Sequence, residues 1–165
     1  MTPAHQAVSA SRRSVAYGSG GGDGAWLETR CARDVTVRWI VDGNNVYGSR
    51  PDGWWNDRAA AATRFAQCVA EWCRTHDEQV TIVFDAPVAE STATIAGGNL
   101  RIVEARRRGR DGADHEIVAI VDGHVSNHPD EAETTVVTSD RGLRARLPAR
   151  VRIEGVGRFR NRVGY

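Results

Sequence analysis

At 165 residues, with 41% hydrophobic and 26% charged residues, the chain has the balance of one ordinary globular domain rather than a fibrous or low-complexity protein. The formal net charge of +1 excludes an argument from bulk charge to a polyanionic or cationic partner. All 22 basic residues are arginine, so each basic contact is a permanently charged planar fork suited to phosphate.

Residues 1–36 read as a disordered N-terminal tail, and the folded domain is placed at 37–165. Tyr17 to Gly24 is glycine-rich and linker-like; no strand pattern precedes it, which argues against a dinucleotide-binding loop. Residues 1–20 lack the continuous apolar core of a secretory signal, and no apolar run approaches a membrane span. Cys31, Cys68 and Cys73 are odd in number and lack metal-ligand spacing, which fits a reducing cytoplasm.

From Arg38 onward, strand and helix patterns alternate. Arg38–Asp42 reads as a buried strand, and Asp57–Thr75 as an amphipathic helix with Phe65, Val69 and Trp72 at helical spacing. Val80–Phe84 and Leu100–Glu104 are the next strands. Ala113–Val121 is a second helix, Thr134–Thr138 a fourth strand, Ser139–Leu147 a short helix and Val151–Ile153 a last strand. Such alternation implies parallel pairing through right-handed crossovers.

Asp42, Asp85 and Asp140 follow short apolar runs, in RWIVDGNNV, VTIVFDAP and TTVVTSDRGL. Asp114 opens a helical segment in GRDGADHEIV. The carboxyl ends of strands in an open parallel sheet line one crevice, so these aspartates are expected to converge there. Carboxylates about 4 Å apart repel by about 4 kcal/mol at an effective dielectric near 20. A divalent cation or protonation would relieve that cost, and oxygen ligands suit Mg²⁺ or Mn²⁺.

Each motif also has a plainer reading. Asp42-Gly43-Asn44-Asn45 could be a strand-to-loop turn, and Asp85-Ala86-Pro87 another. Asp111 is expected to cap the helix that Asp114 enters; Ser139 or Thr138 is expected to cap the next, with Asp140 in its first turn. His115 is either a phosphate contact or a partly exposed helix residue. His124 and His128 read as a solvated loop, since no third metal ligand accompanies them. Arg106, Arg107, Arg108 and Arg110 form the densest basic run, a phosphate-contact candidate beside Asp111, and Arg141 adds to it after Asp140. Trp54 and Trp55 could stack on unpaired bases or pack as a lid.

Taken in order, IVDGNNV, IVFD, GADHEIV and VVTSDRGL resemble the NYN branch of the PIN-like ribonucleases, close to the bacterial YacP-like group. The resemblance spans about residues 38–160. It implies a PIN-like three-layer α/β fold, with a central, mostly parallel β-sheet flanked by helices. It also implies Mg²⁺- or Mn²⁺-dependent hydrolysis of RNA phosphodiesters by an endoribonuclease. By position, Asp42, Asp114 and Asp140 match the family's acidic metal site, and Asp85 an acidic position more often supporting. Asn45 would position a water or ligand. The chain departs at His115, where related chains often carry another Asp. RNA is the expected partner, a homodimer or a regulatory protein remains open, and no membrane is expected. The alternative is a non-catalytic RNA- or protein-binding module on the same fold. A haloacid-dehalogenase-type phosphatase fits poorly, because Asn44 stands where that chemistry wants a second Asp.

Overall fold

The computed structural model describes residues 37–109, 111–127 and 133–165. The tail 1–36 with its glycine-rich stretch, Cys31, Arg110, His128 and Pro129 lie outside the described residues.

Five parallel strands form one sheet: β1 Arg38–Asp42, β2 Gln79–Phe84, β3 Leu100–Glu104, β4 Thr134–Val137 and β5 Arg152–Glu154. Their order is β3-β2-β1-β4-β5. The helices are α1 Gly43–Gly48, α2 Arg58–Cys73, α3 Glu90–Ala93, α4 Gly112–Asn127, α5 Arg141–Arg146 and α6 Val156–Val163. The expected parallel α/β sheet is therefore present, with every ladder between its strands parallel.

Strand side chains alternate between two apolar layers, as a period of two requires. Trp39, Val41, Val80, Ile82, Phe84 and Val137 pack with α2 and α6 on one face. Ile40, Val83 and Val136 pack with Ala113, Ile117, Val121 and Leu143 of α4 and α5 on the other. Both faces are covered at the centre of the sheet, so β1, β2 and β4 are buried along nearly their whole length, while the edge strands β3 and β5 carry exposed Arg101, Glu104 and Arg152.

Asp57 caps α2 by accepting from Ala60 N–H at 2.8 Å. That helix buries Ala61, Phe65, Val69 and Trp72 along one stripe. Three helices were not expected from the sequence, α1, the single turn α3 and α6. In α1, Gly43 and two asparagines are poor helix formers, yet Val46 and Tyr47 drop into the core and outweigh propensity. Gly43 sits where a Cβ would lie 2.3 Å from the Phe84 ring, so only glycine permits this approach. In α6, Val156, Phe159 and Val163 are buried at helical spacing beneath an arginine-rich face. The second expected helix also extends further, to Asn127, so His124 is a helical residue rather than a loop residue, and its ring accepts from the Arg38 guanidinium.

The order of strands sets the location of function. The chain leaves β1 toward β2 and β3, then returns to place β4 on the other side of β1. The gap beyond the carboxyl ends of β1 and β4 is thus the topological switch point, where ligands bind in open α/β sheets. Among the described residues no helix is long and apolar enough to cross a membrane.

Candidate active site

All four expected aspartates reach that gap. Asp42, Asp85, Asp114 and Asp140, with Asp111, Asn44 and Asn45, line one open cavity of about 270 Å³.

Asp42 ends β1 and is 5% exposed. One of its oxygens accepts from Asn45 N–H at 3.1 Å, capping α1, and the other from the Thr138 hydroxyl at 3.2 Å. Burial pushes its carboxyl up to about 6, and the nearby charges of Asp114 and Asp85 push the same way; the two hydrogen bonds pull against them. Asp114, in the first turn of α4, is half-buried, and its carboxyl is raised by burial and then by the charge of Asp140. The Arg146 guanidinium, 4.0 Å from Asp114, offsets this in part. Burial is the larger cause in both aspartates, and the neighbouring carboxylates add to it.

Asp140 does not sit in the first turn of α5, as the sequence suggested; it is the N-cap. Its Oδ1 accepts from Leu143 N–H at 2.9 Å, while its own N–H donates to the Thr138 hydroxyl at 3.0 Å. Thr138 thereby links Asp42 and Asp140 through one hydroxyl. Asn45 braces the same corner, its amide oxygen accepting from Ser139 N–H at 2.9 Å.

Asp85 reaches across to another element. Its Oδ1 accepts from Ala113 N–H at 2.9 Å, so it satisfies an orphan donor at the start of α4. Asp111, to which the sequence assigned capping of this helix, accepts from His115 N–H through its carbonyl oxygen at the head of α4 and lines the cavity beside Asp114. Asp85 N–H in turn donates to Asn44 Oδ1 at 2.9 Å. Removing this side chain in Asp85→Ala is expected to cost about 1 kcal/mol of metal-free stability, with Asp85→Asn much milder. Urea unfolding of the two variants checks this; equal stability of Asp85→Ala and the parent would remove Asp85 from the frame of the site.

The described members of the arginine run are not among the residues lining the cavity. Arg106, Arg107 and Arg108 are exposed, and Arg106 approaches Glu116 at 3.6 Å. Gly112 lets this segment lie close to α4: a Cβ there would be 2.3 Å from the Arg107 carbonyl oxygen. Arg141 is exposed at the start of α5, next to Asp140. His115 is exposed, its Nδ1–H donating to the Asp111 carbonyl at 2.7 Å. Asp111, Thr138 and Arg146 were passed over as site residues in the sequence. For Asp111 the sign was there, two positions inside a motif already singled out.

The donors are all oxygen and amide groups. Among the described residues, no three Asp, Glu, His or Cys side chains are drawn together into a ready-made ion cage.

No protein-family model matches the chain, and no curated protein sequence matches it. The fold does have solved neighbours, and its PIN-like α/β architecture matches theirs. A mutant form of Rae1 (YacP) from Bacillus subtilis aligns with a TM-score of 0.58 and 19% identity, over 78% of this chain and 75% of that one. Another crystal structure of Rae1 (YacP) from the same organism gives 0.58 and 19%, over 76% and 72%. At this identity the likeness is one of fold.

Proposed function

We propose that the chain is a metal-dependent endoribonuclease that hydrolyses RNA phosphodiester bonds in the aspartate crevice. The observation that carries this reading is the convergence of five aspartates on one cavity at the switch point, opposed among the described residues by Arg146, 4.0 Å from Asp114. A structural role explains carboxylates that cap helices. It does not explain Asp114 and Asp111, which line the cavity from the start of α4 and whose carboxylates have no backbone partner among these bonds. The PIN-like fold, and motifs resembling the NYN ribonucleases, point the same way.

Asp42, Asp114 and Asp140 are the residues to hold a Mg²⁺ or Mn²⁺ ion, with Asp85 supporting. Their donor chemistry is that of a hard cation, and Mg²⁺ in particular keeps several waters and needs only one or two carboxylates, so a closed cage is not required. Bound there, the ion supplies an activated water and neutralises charge on the phosphodiester oxygens. The chain's own groups do the rest. Thr138 and Asn45 N–H fix both oxygens of Asp42. The backbone N–H groups of Ala113 and Leu143 fix one oxygen each of Asp85 and Asp140, both of which line the cavity. Arg146 lowers the cost of ionising Asp114. Without a cation the crevice repels phosphate, so substrate binding and metal binding reinforce one another.

The test is incubation of purified protein with total cellular RNA in Mn²⁺, in Mg²⁺ and in chelator. Cleavage that requires the cation supports the reading; RNA bound but uncut in all three conditions makes the chain a binding module instead.

The arginine run, exposed at Arg106, Arg107 and Arg108, is assigned to phosphate contact. Replacing Arg106, Arg107, Arg108 and Arg110 by Gln is expected to weaken single-stranded RNA binding. Each lost phosphate contact should reduce the slope of log K against log salt by about 0.7. An unchanged slope reassigns the run to a solvated face.

A further inference from the structure

A second cavity, of about 410 Å³, opens beside the aspartate crevice, and Asn44 and Asp85 line both. Its volume lies within the roughly 300–1,000 Å³ of small-ligand sites. The far walls are apolar, from Ala59 and Ala62 of α2, Phe84 at the end of β2, and Pro87 and Val88 in the loop after it. Polar groups enter at a few points: Asn44, the Tyr47 hydroxyl and Arg58.

We infer that this cavity receives an unpaired nucleobase of the RNA, next to the phosphate held in the aspartate crevice. The inference rests on reading the crevice as a phosphodiester site. Three features carry it. First, the two cavities share a wall, so a polymer whose phosphate lies in one delivers its neighbouring group to the other. Second, the mostly apolar walls suit a flat, weakly polar ring better than a ribose, whose hydroxyls would find few partners there. Third, the polar points suit base edges and backbone. Asn44 Nδ2 donates to the Tyr47 hydroxyl at 3.0 Å, which leaves the tyrosine's own proton to donate to a base carbonyl or ring nitrogen. Arg58, 5.4 Å over the Trp54 ring, adds a cation. Tyr47 packs on Trp54 at 5.8 Å, and Trp54 on Trp55 at 6.0 Å, so an aromatic ridge continues from the cavity to Trp55, which is 57% exposed. Bases stack on such side chains with little regard to sequence.

The arrangement selects for single-stranded RNA. A base inside a duplex is stacked and paired and cannot enter without being extruded. The cavity thus adds a substrate requirement, an unstacked base beside the cleaved bond, that the aspartates cannot impose.

The experiment uses the full chain carrying Asp114→Asn, so that binding is read without cleavage. Its probes are a single-stranded oligouridylate and an abasic oligoribonucleotide of equal length, which carry the same phosphate charge. The oligouridylate is expected to bind about tenfold more tightly. Ala59→Leu, from an exposed helix position, fills the cavity without offering a ring. It should bring the ratio to about threefold or less while binding of the abasic chain stays unchanged. Arg58→Gln should weaken both probes. A ratio that is unchanged in Ala59→Leu, or near one already without that substitution, overturns the inference. Failure of the nuclease reading looks different: the base preference is present and lost in Ala59→Leu, yet the chain with Asp114 restored cuts no RNA in Mn²⁺. Failure of this inference alone leaves cation-dependent cleavage intact with no base preference in binding.

Discussion

Asp114→Asn is expected to lower cation-dependent RNA cleavage by roughly a hundredfold or more while leaving the fold intact. Asparagine keeps the size of the side chain and removes one charged donor. Asp114 makes no cap that would be lost: the orphan Ala113 N–H at the start of α4 is satisfied by Asp85. Asp42→Asn and Asp140→Asn should cost activity on the same scale. Asp140 caps α5 through Oδ1, and asparagine caps nearly as well as aspartate, so stability should hold there too. Because the three act on one ion, the triple variant should lose little more activity than the worst single one. Initial rates on a labelled single-stranded RNA, with melting of each variant alongside, are the measurement. Variants that melt earlier yet still cut RNA would make the aspartates structural and end the metal-site reading.

The second large effect is on metal-free stability, and it depends on pH. Asp42 has an ordinary carboxyl value of 3.8 that burial raises to about 6 in the folded chain. Its protonated form is therefore favoured by folding. Between these values the folded state binds more protons than the unfolded one, so stability falls as pH rises through that window, and the cost is fully present above it. A rise of that size corresponds to on the order of 3 kcal/mol. In Asp42→Asn the amide oxygen can still accept from Asn45 N–H, and Thr138 can turn to accept from the new NH₂. In chelator at about pH 8 this variant is expected to melt on the order of 5 °C or more above the parent. The gap should close as pH drops below the ordinary carboxylate range. Saturating Mn²⁺ should reverse the order, because only the parent carries the charge that binds the ion. A parent whose midpoint is flat across this window, with no advantage for Asp42→Asn, would show that Asp42 carries no uncompensated charge.

These variants also show how far local sequence reaches. The β-branched runs at Ile40-Val41, Val80–Phe84 and Thr134–Val137 determined the parallel sheet, because strands covered on both faces must be apolar along their length. The Phe65, Val69 and Trp72 spacing determined α2 in the same way. Aspartates at the ends of such runs determined that a carboxylate cluster would form, since parallel strands end on one edge. The helical spacing of Val156, Phe159 and Val163, set among arginines at 158, 160 and 162, is a legible sign of α6; only the packing of Phe159 on Trp39 decides what that stripe covers. Local sequence could not divide the aspartates by role. Asp85 caps a helix that begins far along the chain, Asp140 caps its own, and Asp111 faces the cavity. The second cavity belongs to the same class, since its walls come from α1, α2 and the loop after β2. Hydrophobic period and strand-end position are properties of neighbouring residues. A cap, a shared wall and a raised carboxyl are properties of groups brought together from distant parts of the chain, and tertiary packing alone decides which groups meet.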